Sequence, residues 1–373
     1  MERLRAGGAA LIDLTESNPT RAGLAYPADE IRAALADPRA LEYAPDARGM
    51  ASARAAVAGY YAEAGVAVDA ERIVLTASSS EAYGWLFKLL CDPGDQVLIP
   101  KPSYPLFDFL TALEEVGTVP YPLRWDGEWH VDLPAFRAAL TERTRAVLVV
   151  SPNNPTGNAL QPIERAALEQ VCAERGIPLI ADEVFLDYPA RPGARLASVL
   201  EGEGPALRFA LNGLSKAAGL PQLKLGWIAV AGPPALVSDA LARLEVIADT
   251  YLSVNTPVQL ALPRLFGAAT SIRAAILSRV RANRAWLAGE VRATDPVRLL
   301  ACEAGWYAIL TVPRTLSDQE RALELVEKDG VLIQPGYFFD MPGEGFLVLS
   351  LLTKEDAFRE GAARILARVR AEV

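Results

Sequence analysis

Residues 212–227 read NGLSKAAGLPQLKLGW, and the reading of that stretch settles the fold. On one side lies a mostly apolar run, Leu207–Leu211, and on the other a second, Trp227–Val230. Both have the length and composition of buried strands. Between them Lys216 is flanked by Gly213, Ser215, Ala217, Ala218 and Gly219, so nothing bulky blocks its amine. A lysine in so tight a setting can attack an aldehyde and form a Schiff base. Taken alone, Ser-Lys in a glycine-rich turn reads first as a solvated surface lysine. The remainder of the chain decides between the two.

Upstream of this stretch, strands and helices alternate. Apolar runs at Ile73–Thr76, Val97–Ile99, Ala146–Val150 and Ile177–Ile180 predict strands, and 51–64 and 162–175 predict helices. That alternation is the signature of an α/β domain with a mainly parallel sheet. Each polar cluster follows a strand: SSSEA (78–82), KPSYPLF (101–107), NNPTG (153–157) and ADEVF (181–185). In open α/β sheets, ligands bind beyond the carboxyl ends of the strands. From about Leu241 to Val291 the pattern is helical, and beyond it short strands at 308–310, 331–333 and 346–352 suggest a smaller α+β domain. The expected division is 1–40 as an N-terminal segment joining the small domain, 41–260 as the large domain, and 261–373 as connecting helix plus small domain.

Composition removes several functions. With 51% hydrophobic and 22% charged residues over 373 positions, the chain has material for a large core. A formal charge of −9 leaves no basic face for nucleic acid or an anionic membrane. Cys91, Cys172 and Cys302 are scattered without metal-ligand spacing, and they read as reduced thiols of a cytoplasmic protein. The single histidine, His130, lies in the polar WDGEWH stretch, so no metal site and no histidine-based triad is expected. The opening MERLRAGGAALIDL reads as too short and polar for a signal peptide. No uninterrupted apolar run approaches the roughly 20 residues of a membrane span.

The pieces TESNPT (15–20), YAPDARG (43–49), SSSEA, PSYP (102–105), NNPTG, ADEVF, SKAAGLPQLKLG (215–226) and QPGYFF (334–339) followed by LSLL (349–352) stand in a telling order. In that order and spacing the chain resembles the fold-type I, class I/II aminotransferases that use pyridoxal 5'-phosphate. The resemblance implies a homodimer with shared active sites. It also implies transfer of an amino group from a donor to a 2-oxo acid through pyridoxamine phosphate. Lys216 would hold the cofactor as a Schiff base and then act as general base. Asp182 would keep the ring nitrogen protonated, so that the ring stays an electron sink. Asn154 would donate to the ring's phenolic oxygen, and Tyr104 would stack on the ring. Ser78, Ser79 and Ser80 at a helix start would cradle the phosphate, with Ser215 and Lys224 beside it and Tyr43 reaching it from the other subunit. Lys224 replaces the usual arginine and offers a point charge without a fork.

Three departures from the family pattern stand out. Phe185 takes the place of a tyrosine that donates to the phenolic oxygen. Losing that donor should leave the oxygen more basic than in a Phe185→Tyr variant. Gly213 stands where many members carry a serine near the phosphate, at the expected loss of one hydrogen bond. Val348, in GFLVLSLL (345–352), occupies the position of the arginine that binds the substrate carboxylate. Valine cannot make the guanidinium fork. Arg21 is the first substitute and Lys101 the second, with Ser17, Tyr337 and Phe338 as pocket-lining positions. The missing arginine keeps a second reaction class open on the same fold: a decarboxylase, a β-lyase or an oxidative enzyme. A regulatory module would need a DNA-binding domain, for which neither the charge nor the start of the resemblance leaves room.

Overall fold

In a computed structural model that describes residues 11–372, each apolar run read as a strand forms one, and further strands appear beside them. They are β1 (Ile12–Asp13), β2 (Ile73–Thr76), β3 (Gln96–Lys101), β4 (Gly117–Trp125), β5 (Trp129–Val131), β6 (Thr144–Val150), β7 (Leu179–Asp182), β8 (Arg208–Gly213) and β9 (Gly226–Ala231). Strands β2 to β9 make one sheet in the order β2-β9-β8-β7-β6-β3-β4-β5. The pairs β4/β3, β3/β6, β6/β7 and β7/β8 are parallel. Strand β9 runs against both β8 and β2. The expected α/β class with a mainly parallel mixed sheet is therefore observed. The central strands are buried on both faces and so read as continuous apolar runs rather than alternating ones. The antiparallel β4–β5 edge lacks such a run and was not legible in the sequence.

The topology brings five chain segments to one edge. Because β9 reverses between β8 and β2, the carboxyl ends of β2, β3, β6, β7 and β8 all face the same way. Thr76 of β2 and Gly213 of β8 both pair with Gly226 at the start of β9. The four polar clusters and Lys216 thus meet at one rim, as the crevice rule requires.

A second sheet follows in the order β10-β11-β14-β13: β10 (Arg298–Leu299), β11 (Tyr307–Thr311), β13 (Gln334–Pro335) and β14 (Phe346–Ser350). Strand β12 (Val331–Leu332) instead pairs in parallel with β1, which ties the N-terminal segment to this part of the chain. The Thr256–Glu290 helix joins the two sheets and is unbroken, so the expected boundary at residue 260 falls inside it. That helix meets the length and average apolarity of a membrane span, although the sequence shows no continuous apolar run of that size. Its Leu262, Leu265, Ala269, Ile272 and Ile276 are instead packed into the protein core. The reading of residues 1–10 as part of a non-signal start lies outside the described residues.

Candidate active site

Lys216 sits on a one-turn helix, Leu214–Ala217, directly after β8. Its backbone is fixed from three directions. Tyr188 donates its hydroxyl to the Lys216 carbonyl, Arg273 Nη1 donates to the Ala217 carbonyl at 3.1 Å, and Tyr26 donates to the Gly219 carbonyl at 2.7 Å. The amine points among rings: Nζ lies 4.7 Å from the Trp306 ring centre and 5.8 Å from that of Phe185. Burial drives its pKa down to about 8, and the nearby Asp182 carboxylate partly opposes the shift. A free amine is therefore present near neutral pH, which a solvated surface lysine would lack.

Asp182 ends β7 and is buried. Its Oδ2 accepts the Tyr83 hydroxyl at 2.9 Å and its Oδ1 accepts the Val184 N–H at 3.1 Å. Burial raises its pKa; those two hydrogen bonds and the Lys216 charge act the other way. A carboxylate in this setting favours a cationic partner such as a protonated ring nitrogen. The neighbouring Glu183 turns to the opposite side, where Ser198 Oγ and the Val199 N–H bind it, so it is structural.

The NNPTG asparagines divide their work. Asn153 stitches the loop, donating to the Pro102 carbonyl at 3.0 Å and accepting Ser103 Oγ at 2.8 Å. Asn154 is buried with Oδ1 unpartnered, an amide with capacity left for a ligand. Ser78 caps the Ser79–Leu90 helix, its Oγ accepting the Glu81 N–H at 3.2 Å. Ser79 and Ser80 form the first turn and are half-buried, as is Ser215. Gly226 lies beside them: a Cβ there would come within 3.0 Å of the Ser78 carbonyl carbon and 3.1 Å of the Ser79 nitrogen. Backbone N–H groups at that helix start, beside a backbone without side chains, suit a phosphate. Lys224, two residues before Gly226, is exposed with φ +51° and makes no ion pair among the described residues.

Gly213 has a packing reason that its sequence position did not reveal. A Cβ at 213 would stand 2.9 Å from the Gly226 Cα. A serine there would displace the β9 backbone, so glycine is required by the close approach of the two strands and is more than a lost hydrogen bond.

The remaining positions fall as follows. Tyr104 is half-exposed on the loop after β3, its pKa raised by burial and by the Asp182 charge. Phe185 is buried against Trp306 and Tyr307. Tyr43 is 81% exposed in the single chain. Tyr337 and Phe338 are half-exposed and pack edge-to-face. Val348 is fully buried in β14, opposite Ile309 and Gln334. Lys101 is bound to Asp340 at 3.0 Å and lies 4.0 Å from Asp108, so its charge is neutralised. Arg21 is exposed, and its guanidinium has no partner among the described residues. Two residues escaped the sequence reading: Trp306, which walls Lys216, and Tyr307, whose hydroxyl lies beside the side chains of Ser17 and Asn154. Neither belongs to a polar motif, so only their position in space marks them. A hollow of about 990 Å³ opens elsewhere, beside Arg208 at the start of β8, and includes none of these residues.

This geometry agrees with what the chain resembles. A family model described as aminotransferase class I and II matches residues 9–365. The glutamate-pyruvate aminotransferase AlaA of Escherichia coli (strain K12) is 28% identical, across 95% of this chain and 89% of that protein. The alanine aminotransferase of Mycobacterium tuberculosis (strain ATCC 25618 / H37Rv) is 29% identical, across 94% of this chain and 83% of that protein. Among solved structures, an aminotransferase from Escherichia coli superimposes with a TM-score of 0.86 at 25% identity, covering 99% of this chain and 93% of that one.

Proposed function

This chain belongs to the aminotransferase class I and II family, and from that premise we propose which of its residues perform the transfer and on what. The enzyme is a transferase of amino groups that uses pyridoxal 5'-phosphate. The residues fit that cofactor: a half-buried amine with a lowered pKa, a buried carboxylate, a buried amide with its oxygen unpartnered and a side-chain-free cradle at a helix start. Bound there, the cofactor supplies a ring that withdraws electrons from the substrate's α-carbon. Lys216 Nζ holds the cofactor and, when the substrate amine replaces it, accepts the α-proton. Asp182 keeps a proton on the ring nitrogen. Asn154 donates to the phenolic oxygen, Tyr104 covers the ring, and Ser78, Ser79, Ser80, Ser215 and Lys224 surround the phosphate. Phe185 and Trp306 exclude water from the amine. The single observation that carries this reading is Lys216, half-buried between two rings with its pKa held near 8.

The substrates in this reading are an α-amino acid and a 2-oxo acid, in keeping with the names of two relatives, one a glutamate-pyruvate and the other an alanine aminotransferase. Arg21 receives the carboxylate, with Ser17 lining the same side. Two facts support Arg21: Val348 carries no charge, and Lys101 is already paired. The test is a half-reaction screen on the cofactor-loaded enzyme. Single donors, with and without an α-carboxylate, are added while the visible band and the released oxo acid are followed. Arg21→Ala should raise KM for α-amino acids about 10- to 100-fold, the worth of one charge-assisted contact, and leave carboxylate-free amines untouched. If carboxylate-free amines alone react, the Arg21 assignment is wrong and Val348 sets specificity. Release of CO2, ammonia or peroxide in place of an oxo acid would point to the second reaction class.

A homodimer completes the site in this reading, with Tyr43 entering the partner's phosphate pocket. The exposed Leu41, Tyr43, Phe109, Leu113 and Val246 are the apolar surface that such an interface would cover. Sedimentation should give twice the 40.0 kDa chain mass; a monomer that remains active would rule the shared site out. The other partners are small molecules. A cytoplasmic location, open to check by fractionation, suits the three unpaired thiols.

A further inference from the structure

Phe185 has no hydroxyl to give, yet the structure sets another phenol beside it. Tyr307 opens β11 and is 8% exposed. Its ring stands edge-on to Phe185, with centroids 6.4 Å apart and an interplanar angle of 81°. The side chains of Ser17 and Asn154 lie beside its hydroxyl. Phe185 in turn faces Lys216 Nζ at 5.8 Å. Asn154, Tyr307, Phe185 and Lys216 therefore form one contiguous wall. A hydroxyl beside the Asn154 amide faces the same space as that amide.

We propose that Tyr307 donates its phenolic proton to the cofactor's ring oxygen, from strand β11, in place of the hydroxyl absent at Phe185. This rests on the assignment of Lys216 and Asn154 given above. Three features support it. Tyr307 leads the strand nearest the site, and its partner in register, Ser350, anchors the N-terminal segment by donating to the Glu16 carbonyl at 2.6 Å. That contact holds Ser17 where it can bond to the Tyr307 hydroxyl. Ser17 and the rings of Phe185 and Phe339 (6.3 Å from Tyr307) fix the phenol in orientation. Burial also holds the phenol's pKa above its ordinary value, so it stays a donor throughout the neutral range. Two donors, Asn154 and Tyr307, then share the ring oxygen. They stabilise its negative charge and weaken its hold on the proton it shares with the Lys216 nitrogen. The consequence drawn from Phe185 alone, an oxygen short of one donor, is thereby reversed.

The test is a pH titration of the visible absorbance of the cofactor-loaded enzyme, which reads that shared proton directly and needs no turnover. Tyr307→Phe, a change of one oxygen atom, should raise the midpoint by about one pH unit. Adding Phe185→Tyr to Tyr307→Phe should return it most of the way by restoring a hydroxyl from the other side. A midpoint unmoved by Tyr307→Phe overturns the proposal. So does a raised midpoint that Phe185→Tyr fails to reverse, because the shift would then come from general loosening. If the band survives Lys216→Ala, the cofactor assignment itself is wrong and the proposal falls with it. That failure differs visibly from an unmoved midpoint on an intact, Lys216-dependent band.

Discussion

Replacing Lys216 with alanine lowers amino transfer by on the order of 10⁴-fold, because the variant loses nucleophile and general base together. The size of the effect follows from the setting. The amine lies between Trp306 and Phe185, and burial has already lowered its pKa to about 8. No other amine among the described residues shares that environment: Lys101 is paired with Asp340, and Lys224 is exposed. Lys216→Arg should do no better, since a guanidinium stays protonated and cannot accept the α-proton. The sign of the pH dependence is fixed by the direction of the shift. A lysine whose pKa falls from 10.5 to about 8 becomes a free amine at lower pH. Uptake of pyridoxal phosphate by cofactor-free protein should therefore accelerate as pH rises toward about 8 and level off above it. Stopped-flow absorbance measures this; a rate still climbing steeply at pH 10 would mean that the amine is not shielded as the structure has it.

Asp182→Asn should cost on the order of 10³-fold in kcat, comparable to removing one preorganised electrostatic partner from a buried site. The carboxylate is buried and accepts from Tyr83 and Val184 alone among the described residues. Burial pushes its pKa up, against two hydrogen bonds and the Lys216 charge, so a further positive partner, in the proposed role the protonated ring nitrogen, would hold it ionised. Asparagine keeps the shape and drops the charge. The same change should leave the cofactor-free protein equally or more stable, because it removes a buried charge without emptying any volume. Activity and stability are thus expected to move in opposite or unlinked directions. A variant within tenfold of the parent in kcat would sink the role assigned to Asp182, and a large loss of stability without cofactor would recast it as a structural residue.

Much of this was legible in the chain because the site is built at strand ends. Each of Ser78, Tyr104, Asn154, Asp182 and Lys216 lies within a few residues of an apolar run. Small and turn-forming residues punctuate those places for reasons of backbone geometry. Once the sheet is known to be mainly parallel, the ends must converge. The order of the motifs therefore carried the rim of the sheet with it.

Other features depend on partners distant in sequence, and no local pattern encodes them. Gly213 looks like a missing serine until the pairing of β8 with β9 puts the Gly226 Cα against it. Lys101 looks like a spare cation until Asp340, from the turn between β13 and β14, neutralises it. Trp306 and Tyr307 look like ordinary core aromatics until β11 is seated beside Lys216 and Asn154.

The sequence by itself determined the sheet class, through local periodicity, and, through the order of its motifs and their resemblance to a known family, the cofactor. Only the tertiary structure decided which charges remain free, which glycine is sterically required and which aromatic side chains stand beside Lys216. Those outcomes are set by distances of a few ångströms between segments that strand register and domain packing bring together, and neither can be read along the chain.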